Sequence, residues 1–110
     1  MGLLTGKTAL ITGATGGIGG AIATRRLARD DATQMLVVGT GAQARHQIEA
    51  HVELIDRPLV VWVWGRSAAA AANVVDDVRA STEARVVTDL AAACQWADVV
   101  VTTTPAADPI

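Results

Sequence analysis

Apolar and polar positions alternate in blocks along the chain, and the blocks predict five strands separated by four helices. The strand blocks are short apolar runs that end in glycine, threonine or proline, at residues 7–12, 33–39, 57–65, 83–88 and 98–104. Runs without alternation, such as "VVWVW", are typical of strands covered on both faces, as in parallel sheets. The helix blocks lie at residues 18–29, 42–55, 67–80 and 89–97.

Strands that alternate with helices predict an α/β fold, a Rossmann-like doubly wound parallel sheet in three layers. The whole chain, residues 1–110, has the length of a single domain. Ser67 and Asp89 are predicted to cap the third and fourth helices, because their side-chain oxygens can accept free amide hydrogens there. In the first helix, Ile22 and Leu27 are expected to face the sheet.

The composition argues against nucleic-acid binding, membrane spanning and metal binding. Apolar residues make up 51%, charged residues 18%, and the net charge is −2, which is typical of a globular chain. No basic patch indicates a nucleic-acid partner, and no apolar run is long enough to span a membrane, so we expect a cytoplasmic protein. The chain has no tyrosine, and the spacing of its two histidines does not favour a metal site. Cys94, Trp62 and Trp64 are interpreted as packing residues.

Two glycine-rich loops each follow a strand block and precede a helix block. The first reads "TGATGGIG" at residues 12–19, and the second reads "GTGAQA" at residues 39–44. Such loops allow a tight turn and a close backbone approach to a pyrophosphate, which the helix N-terminus then stabilises. The loop at residues 12–19 is an additional candidate for binding a phosphate. Its candidate contact residues are Gly13, Thr15, Gly17, Ile18 and Gly19.

Two family resemblances accompany these loops. Residues 6–28, "GKTALITGATGGIGGAIATRRLA", resemble the opening βα unit of short-chain dehydrogenase/reductases. Residues 27–110, with "GTGAQA" and "VVTTTP", resemble the nucleotide-binding domain of the ornithine cyclodeaminase/mu-crystallin family. The expected division is therefore a reductase-like unit at 1–28 and a cyclodeaminase-like part at 29–110.

The second resemblance implies a site for NADP(H) or NAD(H). It implies a pyrophosphate loop, an adenosine-ribose contact after the third strand, and a cofactor-lining end of the fifth strand. The loop is Gly39, Thr40, Gly41, Ala42 and Gln43, the ribose residues are Arg66 and Ser67, and the strand-end residues are Thr102, Thr103 and Thr104. No acid follows the third strand, which favours NADP slightly over NAD. Alternatively, Ser67 only caps its helix and Arg66 is solvated.

The double resemblance suggests a recombined or designed chimera. Because neither resemblance carries a catalytic residue over, we expect no catalytic activity and only residual dinucleotide binding at the second loop. The alternatives are a structural scaffold without a ligand and a fragment of an NAD(P)-dependent reductase or cyclodeaminase. Either a monomer or a homodimer is compatible with the sequence.

The longer resemblance also predicts the strand order. Numbered along the chain, it gives 4-3-2-5, with the first strand beyond the fifth because a right-handed crossover can return from there to the second. The reductase-like loop would instead give 3-2-1-4-5.

Overall fold

The computed structural model describes residues 9–11, 21, 22, 24, 33–55 and 58–103. Five strands form its sheet, namely β1 (Ala9–Ile11), β2 (Gln34–Val38), β3 (Val60–Trp64), β4 (Glu83–Val86) and β5 (Val99–Thr102). Three helices have described bounds, namely α1 (Ala42–Leu54), α2 (Ala68–Val78) and α3 (Leu90–Trp96).

The predicted helix at residues 18–29 is described only in part. Ala21, Ile22 and Thr24 are helical, but the bounds of this helix fall outside the described residues. The described part of the chain therefore gives three bounded helices instead of the four predicted. Ile22 is 44% exposed, so the expectation that it faces the sheet is wrong. Ala21 and Thr24, three positions apart, form the buried side of this helix instead.

The strands are ordered β1-β5-β2-β3-β4, and every neighbouring pair is parallel. This is the order that the longer resemblance predicts, and the order 3-2-1-4-5 is wrong. Strand β2 lies between β3 and β5, with Leu36 level with Trp62 on one side and with Val100 on the other. The chain therefore leaves β2 toward β3 and later returns to its opposite side, which makes the carboxyl end of β2 the topological switch point.

The central strands β2 and β5 are buried on both faces, as their unbroken apolar runs predict, whereas the edge strand β4 exposes Glu83 and Arg85. Side chains point alternately to the two faces, so Met35 and Val37 join one apolar cluster and Leu36 joins the other. Helices α1 and α2 pack on the first face, through residues that include Ile48 and Val74. The shorter α3 packs on the second face through Ala93.

The handedness of the crossovers explains this distribution of helices. The connections from β2 through α1 to β3, and from β3 through α2 to β4, run in one direction along the sheet. The connection from β4 through α3 to β5 runs in the other direction. Because parallel crossovers are right-handed, reversing the direction moves the helix to the opposite face. Among the described residues, no helix has the length and apolar character that crossing a membrane requires.

Helices α2 and α3 start as the sequence predicts. Ser67 Oγ accepts a hydrogen bond from the Ala70 amide at 3.1 Å, and Asp89 Oδ1 accepts one from the Ala92 amide at 3.0 Å. Both side chains therefore satisfy an amide that the helix itself leaves without a partner. The N-cap of helix α1 is Gly41, which has no side chain that could accept an amide hydrogen.

Candidate functional site

A cleft opens at the carboxyl ends of β2, β3 and β5, where the strand order reverses. Its volume is about 450 Å³, and it is lined by the ends of these strands and the loops that follow β2 and β3: Val38, Gly39, Thr40, Gly41, Trp64, Gly65, Arg66, Ser67 and Thr103. In open α/β sheets, ligands bind at this position because two loops diverge there and leave a crevice.

Gly39 forms the floor of the cleft between β2 and β5. Its φ is +134°, a backbone conformation that side-chain-bearing residues rarely adopt. Its amide donates to the Trp64 carbonyl at 2.9 Å, which extends the β2–β3 pairing by one step. A Cβ on Gly39 would lie closer to Thr103 Oγ1 than real Cβ atoms approach any heavy atom. Glycine is therefore required here both by the turn and by the close approach of the β5 end.

The register of β5 against β2 brings Thr103 to this place. At the start of the two strands, Asp98 Oδ2 accepts the amides of Thr33 and Gln34 at 3.0 and 3.1 Å. At their end, the Thr103 amide donates to the Val38 carbonyl at 3.0 Å. These bonds fix the register of β5 against β2, because paired residues of two parallel strands keep the same offset along the ladder.

The N-terminus of α1 meets the cleft without a side-chain cap. Gly41 is its N-cap, and the Ala44 amide donates to the Gly41 carbonyl at 3.0 Å. The amides of Ala42 and Gln43 have no carbonyl within the helix to bond to. Together with the helix dipole, such amides favour an anion. An added Cβ on Gly41 would meet no heavy atom within 4 Å, so the loop leaves open space beside the helix start.

The wall of the cleft that follows β3 consists of two small residues and one cation, namely Gly65, Ser67 and Arg66. Gly65 follows directly after β3, and a Cβ on it would collide with the Thr40 Cγ2 methyl. Arg66 and Ser67 continue this wall to the start of α2, where Ser67 is the N-cap. Arg66 is exposed and has no ion-pair partner among the described residues. No carboxylate lies among the described residues that line the cleft.

The structure brings six of the predicted site residues together around the cleft: Gly39, Thr40, Gly41, Arg66, Ser67 and Thr103. Ala42 and Gln43 lie in the first turn of α1 and are not among the lining residues, and the Gln43 Oε1 atom is buried with no partner among the described residues. Thr102 ends β5 and is half-buried outside the lining. Thr104 and the first glycine loop, with Gly13, Thr15, Gly17, Ile18 and Gly19, lie outside the described residues.

Sequence reasoning missed three lining residues, namely Val38, Trp64 and Gly65. Each stands at or directly after the carboxyl end of a strand next to the switch point, so the strand order and strand ends could have found them. Trp62 does pack as predicted, since its ring stacks on Trp96 of α3 with centroids 3.8 Å apart and planes 3° from parallel.

The remaining candidates lie away from the cleft. His51 is 1% exposed; its Nδ1 lies 2.6 Å from the Gln47 carbonyl, and its Nε2 lies 2.6 Å from Thr24 Oγ1. Burial lowers the pKa of His51, although the bond to the Gln47 carbonyl works in the opposite direction. Cys94 is exposed, which corrects the expectation that it is packed. No group of residues suited to a metal ion occurs among the described residues.

Comparison with known proteins identifies relatives for nearly the whole chain. The sequence model of the ornithine cyclodeaminase/mu-crystallin family matches residues 3–110. A Rhizobium meliloti (strain 1021) protein named as a dehydrogenase is 39% identical over 93 residues, which is 83% of this chain and 28% of that protein.

Solved structures share the fold. Thermococcus litoralis Δ1-pyrroline-2-carboxylate reductase, in complex with NADH and L-proline, superposes with a TM-score of 0.72 at 24% identity, covering 80% of this chain and 28% of the reductase. An archaeal alanine dehydrogenase dimer with bound NAD gives 0.68 at 30% identity, covering 86% and 29%. Paracoccus denitrificans iminosuccinate reductase with NAD⁺ gives 0.62 at 22% identity, covering 82% and 28%. The chain thus spans little more than a quarter of these relatives.

These findings correct the interpretation as a recombined or designed domain without activity. One family model runs through residues 3–110 and includes the first glycine loop, so a separate parent for residues 6–28 has no support. The relative and the structural neighbours are named as dehydrogenases and reductases, so the scaffold interpretation is wrong as well. The glycine pattern misled because a βα turn with several glycines is a local feature that unrelated families can share.

Proposed function

The chain belongs to the ornithine cyclodeaminase/mu-crystallin family, and from this premise we propose that it provides the nicotinamide-dinucleotide site of a dehydrogenase or reductase. The observation that carries the proposal is the loop from Gly39 to Gly41, which lies at the switch point and leads into an uncapped helix. Structural neighbours with bound NADH, NAD and NAD⁺ support it.

Each part of such a cofactor can be assigned to one part of the cleft. The pyrophosphate would lie against Gly41 and the first amides of α1, because Gly41 leaves its Cβ direction open. The adenosine ribose would lie against the wall that follows β3, and the nicotinamide half would extend toward Thr103 at the end of β5. This arrangement follows from a dinucleotide binding across the switch point with one half on either side.

We further propose a preference for NADP(H). An NAD-type site presents a carboxylate to the ribose 2′-hydroxyl, whereas a 2′-phosphate is accommodated by a nearby arginine. The described cleft lining has no carboxylate, and it includes Arg66 and Ser67. A charge-assisted bond from Arg66 would favour the phosphate, because such a bond is stronger than one to a plain hydroxyl.

When bound, the cofactor supplies or accepts a hydride. The residues of this chain would hold the pyrophosphate at the start of α1 and the two halves of the cofactor on either side of β2. Gly39 and Thr103 set the spacing at the β5 side, because the Thr103 amide is hydrogen-bonded to the Val38 carbonyl one residue before Gly39.

The test is a titration of the 110-residue chain with NADPH and NADH, followed by energy transfer from tryptophan to the reduced nicotinamide. Trp64 lines the cleft and would report binding directly. We expect NADPH to bind more tightly, and Arg66→Ala to weaken NADPH about tenfold or more, the lower end for a hydrogen bond to a charged group. NADH affinity should change little.

Gly41→Val is the matched probe of the pyrophosphate position. Since an added Cβ on Gly41 meets no heavy atom within 4 Å, the variant should lose only the roughly 1 kcal/mol of a poorer N-cap while it loses affinity for both cofactors. Binding of both cofactors by Gly41→Val with parental affinity would refute the assignment of this loop. Parental NADPH affinity in Arg66→Ala would refute the assigned phosphate contact alone.

A further inference from the structure

We propose that Thr40 and Gly65 form a steric pair that determines cofactor choice. The Thr40 methyl occupies the space that a side chain at position 65 would need, which keeps a carboxylate out of the ribose site. This inference rests on the proposed function, because it concerns the adenosine-ribose end of the same cleft.

A single atom of Thr40 accounts for the steric conflict with a side chain at position 65. A Cβ built on Gly65 lies 3.6 Å from the Ser67 carbonyl oxygen and 3.6 Å from Thr40 Cβ, both ordinary contacts. Only the Thr40 Cγ2 methyl is too close. Gly65 does not have a positive φ, so its backbone conformation accepts other residues. The need for glycine at position 65 therefore comes from the Thr40 methyl and not from the turn.

Position 65 is where the choice between NAD and NADP would be made. It is the first residue after β3, about 20 residues beyond the phosphate loop, which is where an NAD-type site carries its acid. A side chain there would start toward Thr40, and both residues line the cleft. With this position held at glycine, the groups left to contact the ribose are the guanidinium of Arg66 and the hydroxyl of Ser67.

The first experiment measures the pair without any cofactor. Gly65→Ala should lower the Tm of the parent by about 4 °C or more, because a small domain loses that much for a modest clash. In Thr40→Ser, which lacks the methyl, the same change should cost little. Thr40→Val keeps the branched shape and loses only the hydroxyl, so Gly65→Ala should remain costly there. Equal costs in all three backgrounds would overturn the steric pair.

The second experiment measures cofactor choice. Gly65→Asp alone should lose NADPH affinity and gain no NADH affinity, since its carboxylate cannot enter beside the Thr40 methyl. The double variant Thr40→Ser/Gly65→Asp should bind NADH at least tenfold more tightly than Gly65→Asp does. An equal gain of NADH affinity in the single variant would overturn the role of Thr40.

The parent titration separates this inference from the proposed function. A parent that binds neither NADPH nor NADH overturns the proposed function and the cofactor role of the pair together. A parent that binds NADPH, beside two Gly65→Asp variants of equal NADH affinity, overturns the inference alone.

Discussion

Gly39→Ala is the sharpest test of how the cleft is built. The change adds one methyl group at a residue whose φ is +134° and whose Cβ direction points at Thr103 Oγ1. Two separate costs therefore arise from one substitution. The backbone must hold alanine in a conformation that suits glycine, and the Thr103 side chain must leave the space that the new methyl takes.

Each cost has a known magnitude. A non-glycine residue in a glycine-favoured region costs about 1–3 kcal/mol. Forcing a group into a packed site costs about 1–3 kcal/mol. The bond from Thr103 Oγ1 to the Val38 carbonyl is long, at 3.4 Å, and adds little. We expect the free energy of unfolding to fall by about 2–6 kcal/mol, a large share of the ~5–15 kcal/mol of a typical domain.

The assay is chemical and thermal unfolding of four chains, followed by far-UV circular dichroism. They are the parent, Gly39→Ala, Thr103→Ala and the double variant. Removing Thr103 Oγ1 should recover most of the steric cost and leave the backbone cost and the 3.2 Å approach to the Thr103 carbonyl oxygen, so the double variant should be more stable than Gly39→Ala. Gly41→Ala is the control in the same loop, because a Cβ there meets no heavy atom within 4 Å and should cost at most about 1 kcal/mol.

Two outcomes would refute this reasoning. If Gly39→Ala is as stable as Gly41→Ala, the positive φ and the close approach do not constrain position 39. If the double variant is no more stable than Gly39→Ala, the new methyl does not collide with the side chain of Thr103.

Two further predictions concern a helix cap and a buried histidine. Ser67→Ala and Asp89→Ala should each lower the free energy of unfolding by about 1 kcal/mol through loss of an N-cap. Only Ser67→Ala should also weaken NADPH in the titration, and equal effects of both on NADPH would contradict the placement of Ser67. Because burial lowers the pKa of His51 below 6.5, the unfolded chain binds its proton first as the pH falls. Denaturant unfolding should therefore show stability falling below pH 6.5, with a smaller slope in His51→Gln, and equal slopes in the two chains would contradict this prediction.

Local patterns in the sequence were enough for the elements and for the glycine-rich loop of the site. Apolar runs found all five strands, and Ser67 and Asp89 marked two helix starts, because these features depend on neighbours within a few residues. The second glycine loop was identified for the same reason. The strand order came from a family resemblance and not from local patterns, because which strands pair depends on contacts far apart in the chain.

Burial of individual side chains on small-residue helices was predicted less well. Ile22 and Cys94 are exposed where packing was expected. Alanine-rich helices carry a weak apolar periodicity, so their sequence does not determine which face meets the sheet. For the helix that contains Ile22, the buried face is set by the neighbouring helix α1, because Thr24 lies inward and its Oγ1 contacts His51.

The chemistry of the cleft depended on contacts that only tertiary structure creates. The sequence shows Gly39 as a turn residue, but the approach of Thr103 depends on the register of β5 against β2, across 65 positions from Val38. It shows Gly65 as a strand end, but the need for glycine comes from the Thr40 methyl on another loop. The sequence alone identified two glycine-rich loops as candidates for binding a phosphate. Tertiary structure decided what stands beside the second loop, because side chains from separate strands meet only once the register is fixed.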